Sequence, residues 1–237
     1  MIERYGLGAL PSPSDPRDYP LQLAPLTAPL SRRFVCDGMP NVLNQGSTPQ
    51  CEAFASSGMK SWQEKRDKHG LVDFDEGWLY SRCKSLDGIP GAGTDGRSAM
   101  RVLKGSGLKA LNRPEPPEHF KIAAYYAVPL NFDGLRTAIM QYGPVVLGGR
   151  WYSSWFRPTQ GLLPAPAGGV AGGHAVLAFG WDLDVGGTGG SLLIRNSWGE
   201  YAGSVNGNFY APVRFYLPAL WEAWRAEDVI TGAPGPR

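Results

Sequence analysis

Helix-like and strand-like patterning occupy separate parts of this chain. Helical stripes of apolar residues end near residue 142, and short β-type runs fill the remainder. From residue 50, Phe54, Gly58 and Trp62 fall on one helical stripe with Ala55 and Met59 beside it, which predicts a helix opening after the turn-like stretch 44–49. Lys65, Arg66 and Lys68 suit the negative end of its dipole, and Gly70 can cap it. Two shorter helices are expected around 76–84 and 97–104, the second stopped by Gly105, before a Pro-rich connector at 112–117. Asp133 can cap a further helix that presents Leu135, Ile139 and Tyr142 and ends at Gly143-Pro144. Strands are then predicted at 145–147, 174–181, 191–195 and 208–214. This order argues for a two-lobed α+β chain rather than alternating βαβ units.

Ahead of the first helix, residues 1–30 hold Pro11, Pro13, Pro16, Pro20, Pro25 and Pro29 with no periodicity. They read as an extended arm of polyproline character, without a core of its own. The remaining residues, 31–237, then divide into a helical lobe of about 31–117, a β-rich lobe of about 118–217 and a C-terminal tail, 218–237. With 43% hydrophobic and 19% charged residues the chain can bury a core and lacks the composition of disorder. A net charge of +2 creates no general attraction to nucleic acid or to an anionic membrane. There is no apolar run of about 18 residues and no standard secretion signal at the start. A soluble chain is expected, cytoplasmic or exported by a dedicated route.

The cysteines are Cys36, Cys51 and Cys83; they show no zinc-type spacing and cannot all pair within one chain. Cys36 and Cys83 read as buried apolar residues. Cys51 differs because it opens the best helix, where unpaired N–H groups and the dipole stabilise a thiolate. A thiolate nucleophile needs an imidazole and a group to orient it. Of the three histidines, His69 and His119 read as surface residues, whereas His174 opens an apolar strand after Gly172-Gly173. The buried run Leu192-Leu193-Ile194 ends in Arg195-Asn196-Ser197-Trp198-Gly199. Asn196 can accept the imidazole N–H, Trp198 can shield that bond from water, and Gln45 offers an amide donor to a developing oxyanion.

Three separated motifs now agree in order. Gln45-Gly46-Ser47-Thr48-Pro49-Gln50-Cys51-Glu52-Ala53-Phe54, Gly173-His174-Ala175-Val176 and Asn196-Ser197-Trp198-Gly199 resemble the signatures of the papain (C1) family of cysteine peptidases. His174 and Asn196 fall 123 and 145 residues beyond Cys51, near the roughly 130–150 that the papain-type pattern shows. The resemblance implies a papain-like two-lobed fold with a helical N-terminal lobe, an antiparallel β-barrel-like C-terminal lobe and the active site between them. It implies an endopeptidase that works through an acyl-enzyme thioester, with Cys51 as nucleophile, His174 as base and then acid, Asn196 as orienter, and Gln45 with the Cys51 N–H as oxyanion hole. Protein or peptide is the substrate so implied, with no metal or cofactor. The glycine-containing segment around Gly93 and Thr94 would meet the substrate main chain, and Gly96, Gly148 and Gly172 would border a side-chain pocket, with Gly173 and Trp198 beside the site.

The chain departs from the secreted members of that family at Thr48, where they carry a disulfide cysteine, and at Glu52, where they usually carry Trp. Cys83 has no partner near 109–117. The pattern is closer to the disulfide-poor bacterial and phage-type branch, with no internal disulfide expected. Glu52 adds a negative charge that opposes thiolate formation. That charge and the long arm motivate an alternative reading as a catalytically weak fold used for binding or inhibition; a Cys/His cell-wall amidase is disfavoured by Gln45 and the 196–199 block. The stretch 91–96 also satisfies G-x-G-x-x-G, but no apolar strand precedes it as a dinucleotide site requires. Part of 11–29 is expected to pack along or beside the cleft and restrain access to Cys51, with Gly6 and Gly8 leaving the extreme end mobile.

Overall fold

The computed structural model of the chain describes residues 5–16, 18–26, 29–67, 69–201 and 203–229. In chain order its elements are β1 (Ala9–Leu10), β2 (Arg33–Val35), α1 (Cys51–Arg66), α2 (Glu76–Asp87), β3 (Thr94–Asp95), α3 (Gly96–Gly105), β4 (Ile122–Ala127), α4 (Phe132–Tyr142), β5 (Val145–Tyr152), β6 (Val170–Asp182), β7 (Ser191–Arg195), β8 (Asn208–Pro212), α5 (Val213–Tyr216) and β9 (Leu220–Asp228). The expected α+β segregation holds. Helices α1, α2 and α3 pack on one another as one layer, and a seven-stranded sheet of order β4-β9-β5-β6-β7-β8, with β2 paired to β6, forms the other.

The predicted helices are all present, with shifted ends. Asp67 rather than Gly70 caps α1, its N–H reaching Gln63 O, and Lys68 lies outside the described residues. Asp75 and Asp95 supply side-chain N-caps to α2 and α3, accepting from Trp78 N and Ser98 N. Asn131, not Asp133, caps α4 by accepting from Gly134 N. The sequence allows either, and the residue that retains extended backbone (φ −133°, ψ 160°) takes the role. At the other end Gly143 has φ 98°, and a Cβ there would lie 2.2 Å from the Trp62 ring, so both backbone and space demand glycine.

The tail expected at 218–237 is corrected by β9, an inner strand that pairs antiparallel with both β4 and β5. Residues 230–237 of that tail lie outside the described residues. Because β9 is covered on both faces, its side chains are buried almost continuously and show no alternation to read. The lobes also interleave: β2, in the segment assigned to the helical lobe, pairs with β6. The arm, without a core of its own, contributes Ala9 and Leu21 to the cores of the body. Two hydrophobic clusters result. One lies around α4, β6, β7 and the tryptophans 151, 155 and 181; the other lies around α1–α3 and includes Cys51 and Cys83.

Candidate active site

Cys51 is the first residue of α1 and is fully buried. Helix α1 packs on β6, which carries His174, and the backbone N–H of Ala175 reaches the Cys51 thiol. On β6 the position opposite His174 is Gly149 of β5. Asn196 follows β7 directly, with its Oδ1 2.8 Å from His174 Nε2 and 2.8 Å from Ser197 N. A backbone N–H can only donate, so that end of the Asn196 amide is oxygen, and Nε2 must then carry the imidazole hydrogen. The other ring nitrogen, Nδ1, has no hydrogen-bond partner among the described residues. His174 is therefore set up as a proton acceptor through Nδ1.

Aromatic rings enclose this pair. Trp198 stacks on the imidazole at 4.5 Å between centroids and 20° between planes, and Trp151 stands nearly perpendicular to it at 4.8 Å. Gln45 is held by its Oε1, which accepts from Ser197 Oγ at 2.5 Å, and its Nε2 donates to Thr48 O and Gly6 O at 2.7 and 3.2 Å. The four residues singled out for chemistry are thus brought to one place from four elements or loops. Of the other histidines, His119 is exposed as expected, while His69 is half-buried and bonded to Glu64. Cys36, Cys51 and Cys83 are all free and buried.

The arm lies across this site through residues 5–9, which precede the stretch expected there, and the start of that stretch follows beside it. Gly6 N donates to Gly46 O at 2.8 Å, and Gly6 O accepts from both Gln45 Nε2 and Trp198 Nε1. Gly8 N donates to Gly173 O at 3.0 Å, and Gly8 O accepts from Thr94 N at 2.9 Å. Strand β1 then runs parallel to β3. Tyr5 stacks on Trp198 at 4.8 Å. Gly6 and Gly8 are the residues nearest the chemistry rather than a loose end. A Cβ on Gly6 would lie 1.9 Å from Thr48 O, and one on Gly8 would lie 2.2 Å from Pro49 O. Beyond them, Ser12 N and Oγ donate to Glu222 Oε2 and Asp95 Oδ1, and Arg97 binds Pro13 O and Asp18. The later part of the 11–29 stretch runs away along β4, where Leu21 N donates to Ala127 O.

The glycines expected as pocket walls are in contact rather than open. Gly93 and Gly173 leave room for the Gly8 and Ala9 carbonyls, and Gly172 for the Leu7 side chain. Gly96 and Gly148 both abut Glu222, a buried carboxylate that no sequence pattern marks. Thr94 is buried, with its hydroxyl donating to Asp87. Burial governs the electrostatics. It pushes the Cys51 thiol up to about 12, with the Glu52 charge adding to the effect, and it pushes His174 down to about 4 against the pull of Asn196. Glu52 is also buried, and burial followed by the charges of Glu222 and Asp95 holds its carboxyl well above the usual range. Burial thus favours the neutral form of both thiol and imidazole.

Residues 108–212 match the family model described as papain family cysteine protease. Over 97 residues, 41% of this chain and 53% of the other, the sequence is 35% identical to cathepsin B-like cysteine proteinase 3 of Ostertagia ostertagi. It is 34% identical over 82 residues to a gut-specific cysteine proteinase of Caenorhabditis elegans, covering 35% of this chain and 24% of that one. The chain therefore spans about half or less of these curated relatives. In fold it is similar to xylellain, a cysteine protease from Xylella fastidiosa, with a TM-score of 0.80 and 23% identity over 96% of this chain and 97% of that one. It is also similar to proCathepsin B S9 from Trypanosoma congolense, with a TM-score of 0.74 and 15% identity over 92% and 86% of the two chains. In fold this chain is papain-like, and over residues 108–212 its sequence matches the papain family. It is a disulfide-poor form, its three cysteines all being free.

Tyr201 and Ser197 hold the amides of Asn196 and Gln45; the sequence does not single out Tyr201, and it places Ser197 in the 196–199 motif without assigning it a role. Their hydroxyls act through tertiary contacts that no spacing rule marks. No helix among the described residues is long and apolar enough to cross a membrane.

Proposed function

We propose that this chain is a cysteine endopeptidase acting on proteins or peptides, with Cys51 as nucleophile, and that its N-terminal segment restrains access to the cleft. The observation that carries the reading is the orientation of His174: Nε2–H is committed to Asn196, and Nδ1 is left as the acceptor on a strand packed against the helix that Cys51 opens. In the reaction Nδ1 takes the thiol proton, and the sulfur attacks the scissile carbonyl carbon. The oxygen that becomes negative is met by Gln45 Nε2 and the Cys51 N–H. The imidazolium then protonates the leaving amine, and a thioester remains. A water molecule, deprotonated by the same imidazole, hydrolyses the thioester and returns the thiol. Gly93, Thr94 and Gly173, whose polar backbone groups or close approaches now serve the arm, are the surfaces along which a substrate strand would lie.

Two assays test the activity. The chain should degrade casein and leave purified peptidoglycan intact, and an epoxysuccinyl probe should label Cys51 while Cys36 and Cys83, buried without a base, stay unmodified. Equal labelling of all three, or cleavage of peptidoglycan alone, would sink the assignment.

The restraint follows from what the arm occupies. Gly6 O takes the Gln45 donor intended for the oxyanion, and Gly8 is bonded on both sides of the cleft to Thr94 and Gly173. Because Gly8 passes so near Pro49 O that a Cβ cannot fit, Gly8→Ala in the full chain must lift the arm. The second-order rate of Cys51 alkylation is expected to rise at least about tenfold, equivalent to ~1.4 kcal/mol of lost docking. An unchanged rate in a stably folded variant would mean that the arm serves another purpose.

A further inference from the structure

Asn196 has two ends, and each is held by a different partner. Its Oδ1 serves His174 Nε2 and Ser197 N, while its Nδ2 donates to the hydroxyl of Tyr201 at 3.2 Å in a buried contact. Tyr201 is itself buried. Its main chain is anchored by Ser204, whose hydroxyl donates to Tyr201 O at 2.7 Å and lies 3.2 Å from Tyr201 N. Its ring packs edge-on to Trp198, with centroids 5.5 Å apart and planes at 77°. Trp198 in turn stacks on the imidazole. Tyr201 therefore supports His174 by two routes, one through the amide that orients the ring and one through the indole that covers it.

We propose that Tyr201 is a positioning residue for the His174–Asn196 pair, acting through its hydroxyl on the Asn196 amide. The proposal rests on the reading of Asn196 as the group that orients His174. Ser197 N–H selects which end of the amide is oxygen, because it can only donate. It cannot alone hold the amide in plane with the imidazole, since it is the next residue's own backbone and the contact closes over a single side chain. Tyr201 provides the second, distant anchor point, and burial pushes its phenol upward so that it stays protonated across the neutral range. With both ends held, Oδ1 stays on the Nε2–H line while the ring gains and loses its proton at Nδ1. With one end held, the amide can twist about its χ2 angle, a soft torsion, and the imidazole loses its fixed direction toward the thiol.

Tyr201→Phe keeps the ring and its packing on Trp198 and Tyr5 and removes only the hydroxyl. In the full chain, and in parallel in the full chain carrying Gly8→Ala, it should lower kcat on a peptide substrate about three- to tenfold, the effect of one lost hydrogen bond, with KM changed by less than about twofold. The His174 Nε2–H proton resonance should shift or broaden. In an Asn196→Ala background the same substitution should cost nothing further, because the partner it acts through is gone. If Tyr201→Phe lowers kcat equally with and without Asn196, or leaves both kcat and the resonance unchanged, the proposal is overturned. If Asn196→Ala itself is as active as the parent chain, the role given to Asn196 fails as well; an impaired Asn196→Ala with a normal Tyr201→Phe overturns the proposal for Tyr201 alone. Thermal unfolding of each variant shows whether a loss of kcat reflects unfolding, which would appear in both backgrounds.

Discussion

Replacing Cys51 by Ala is expected to reduce peptide hydrolysis by at least about a thousandfold, on the scale seen when a catalytic nucleophile is removed, while circular dichroism and melting stay near those of the parent. The sulfur is the atom assigned the acyl bond, and the other two thiols are poor substitutes because burial pushes both upward. The fold should tolerate the change because Ala is the best helix former at the first position of α1 and loses only one buried heavy atom. Apart from the contact of the Gly8 N–H with the sulfur itself, the arm's bonds at Gly6 and Gly8 run to Gly46, Gln45, Trp198, Gly173 and Thr94, so the cleft should remain closed in the variant. Hydrolysis near the parent rate would remove Cys51 from the chemistry.

The second large effect is expected far from the thiol. Lys60 is buried in α1 with its Nζ bonded to Glu64 and to Asp228 on β9, all three side chains being almost inaccessible to water. Glu64 also reaches His69 Nδ1 at 2.8 Å. One cation thus serves two carboxylates between the helix that bears Cys51 and an inner strand of the sheet. Lys60→Met preserves most of the volume and leaves both acids without it. The loss of stability expected near pH 7 is about 3–5 kcal/mol, the cost of stranding buried charge. The loss should also depend on pH. Burial pushes the Asp228 carboxyl up and Lys60 pulls it back, the net being upward. Without Lys60 the folded-state carboxyl is raised further, so the penalty is fully present above the variant's raised folded-state range and shrinks as pH falls through that range, where a proton neutralises the stranded carboxylate. Urea unfolding of both chains across that range measures it. A deficit under about 1 kcal/mol at pH 7 would show that the network is not held dry.

The sequence alone determined the parts that depend on near neighbours or on order along the chain. The start of α1 at Cys51, the strand that carries His174 and the turn after Ile194 that presents Asn196 are each written in a window of a few residues, and they lie where expected. The segregation of helices before strands determined the α+β class in the same way. Tertiary structure decided what depends on residues distant in sequence. Strand β9 reads as tail because burial on both faces removes the alternation that marks a half-exposed strand, and only its pairing with β4 and β5 makes it an inner strand. Gly6 and Gly8 look like flexible punctuation in a Pro-rich arm, and only the close passage of that arm past the Thr48 and Pro49 carbonyls makes glycine obligatory there. Tyr201 and Glu222 are silent for the same reason. A single hydroxyl or carboxylate has no meaning in one dimension, and acquires one when folding takes water away and leaves it a few fixed partners to satisfy.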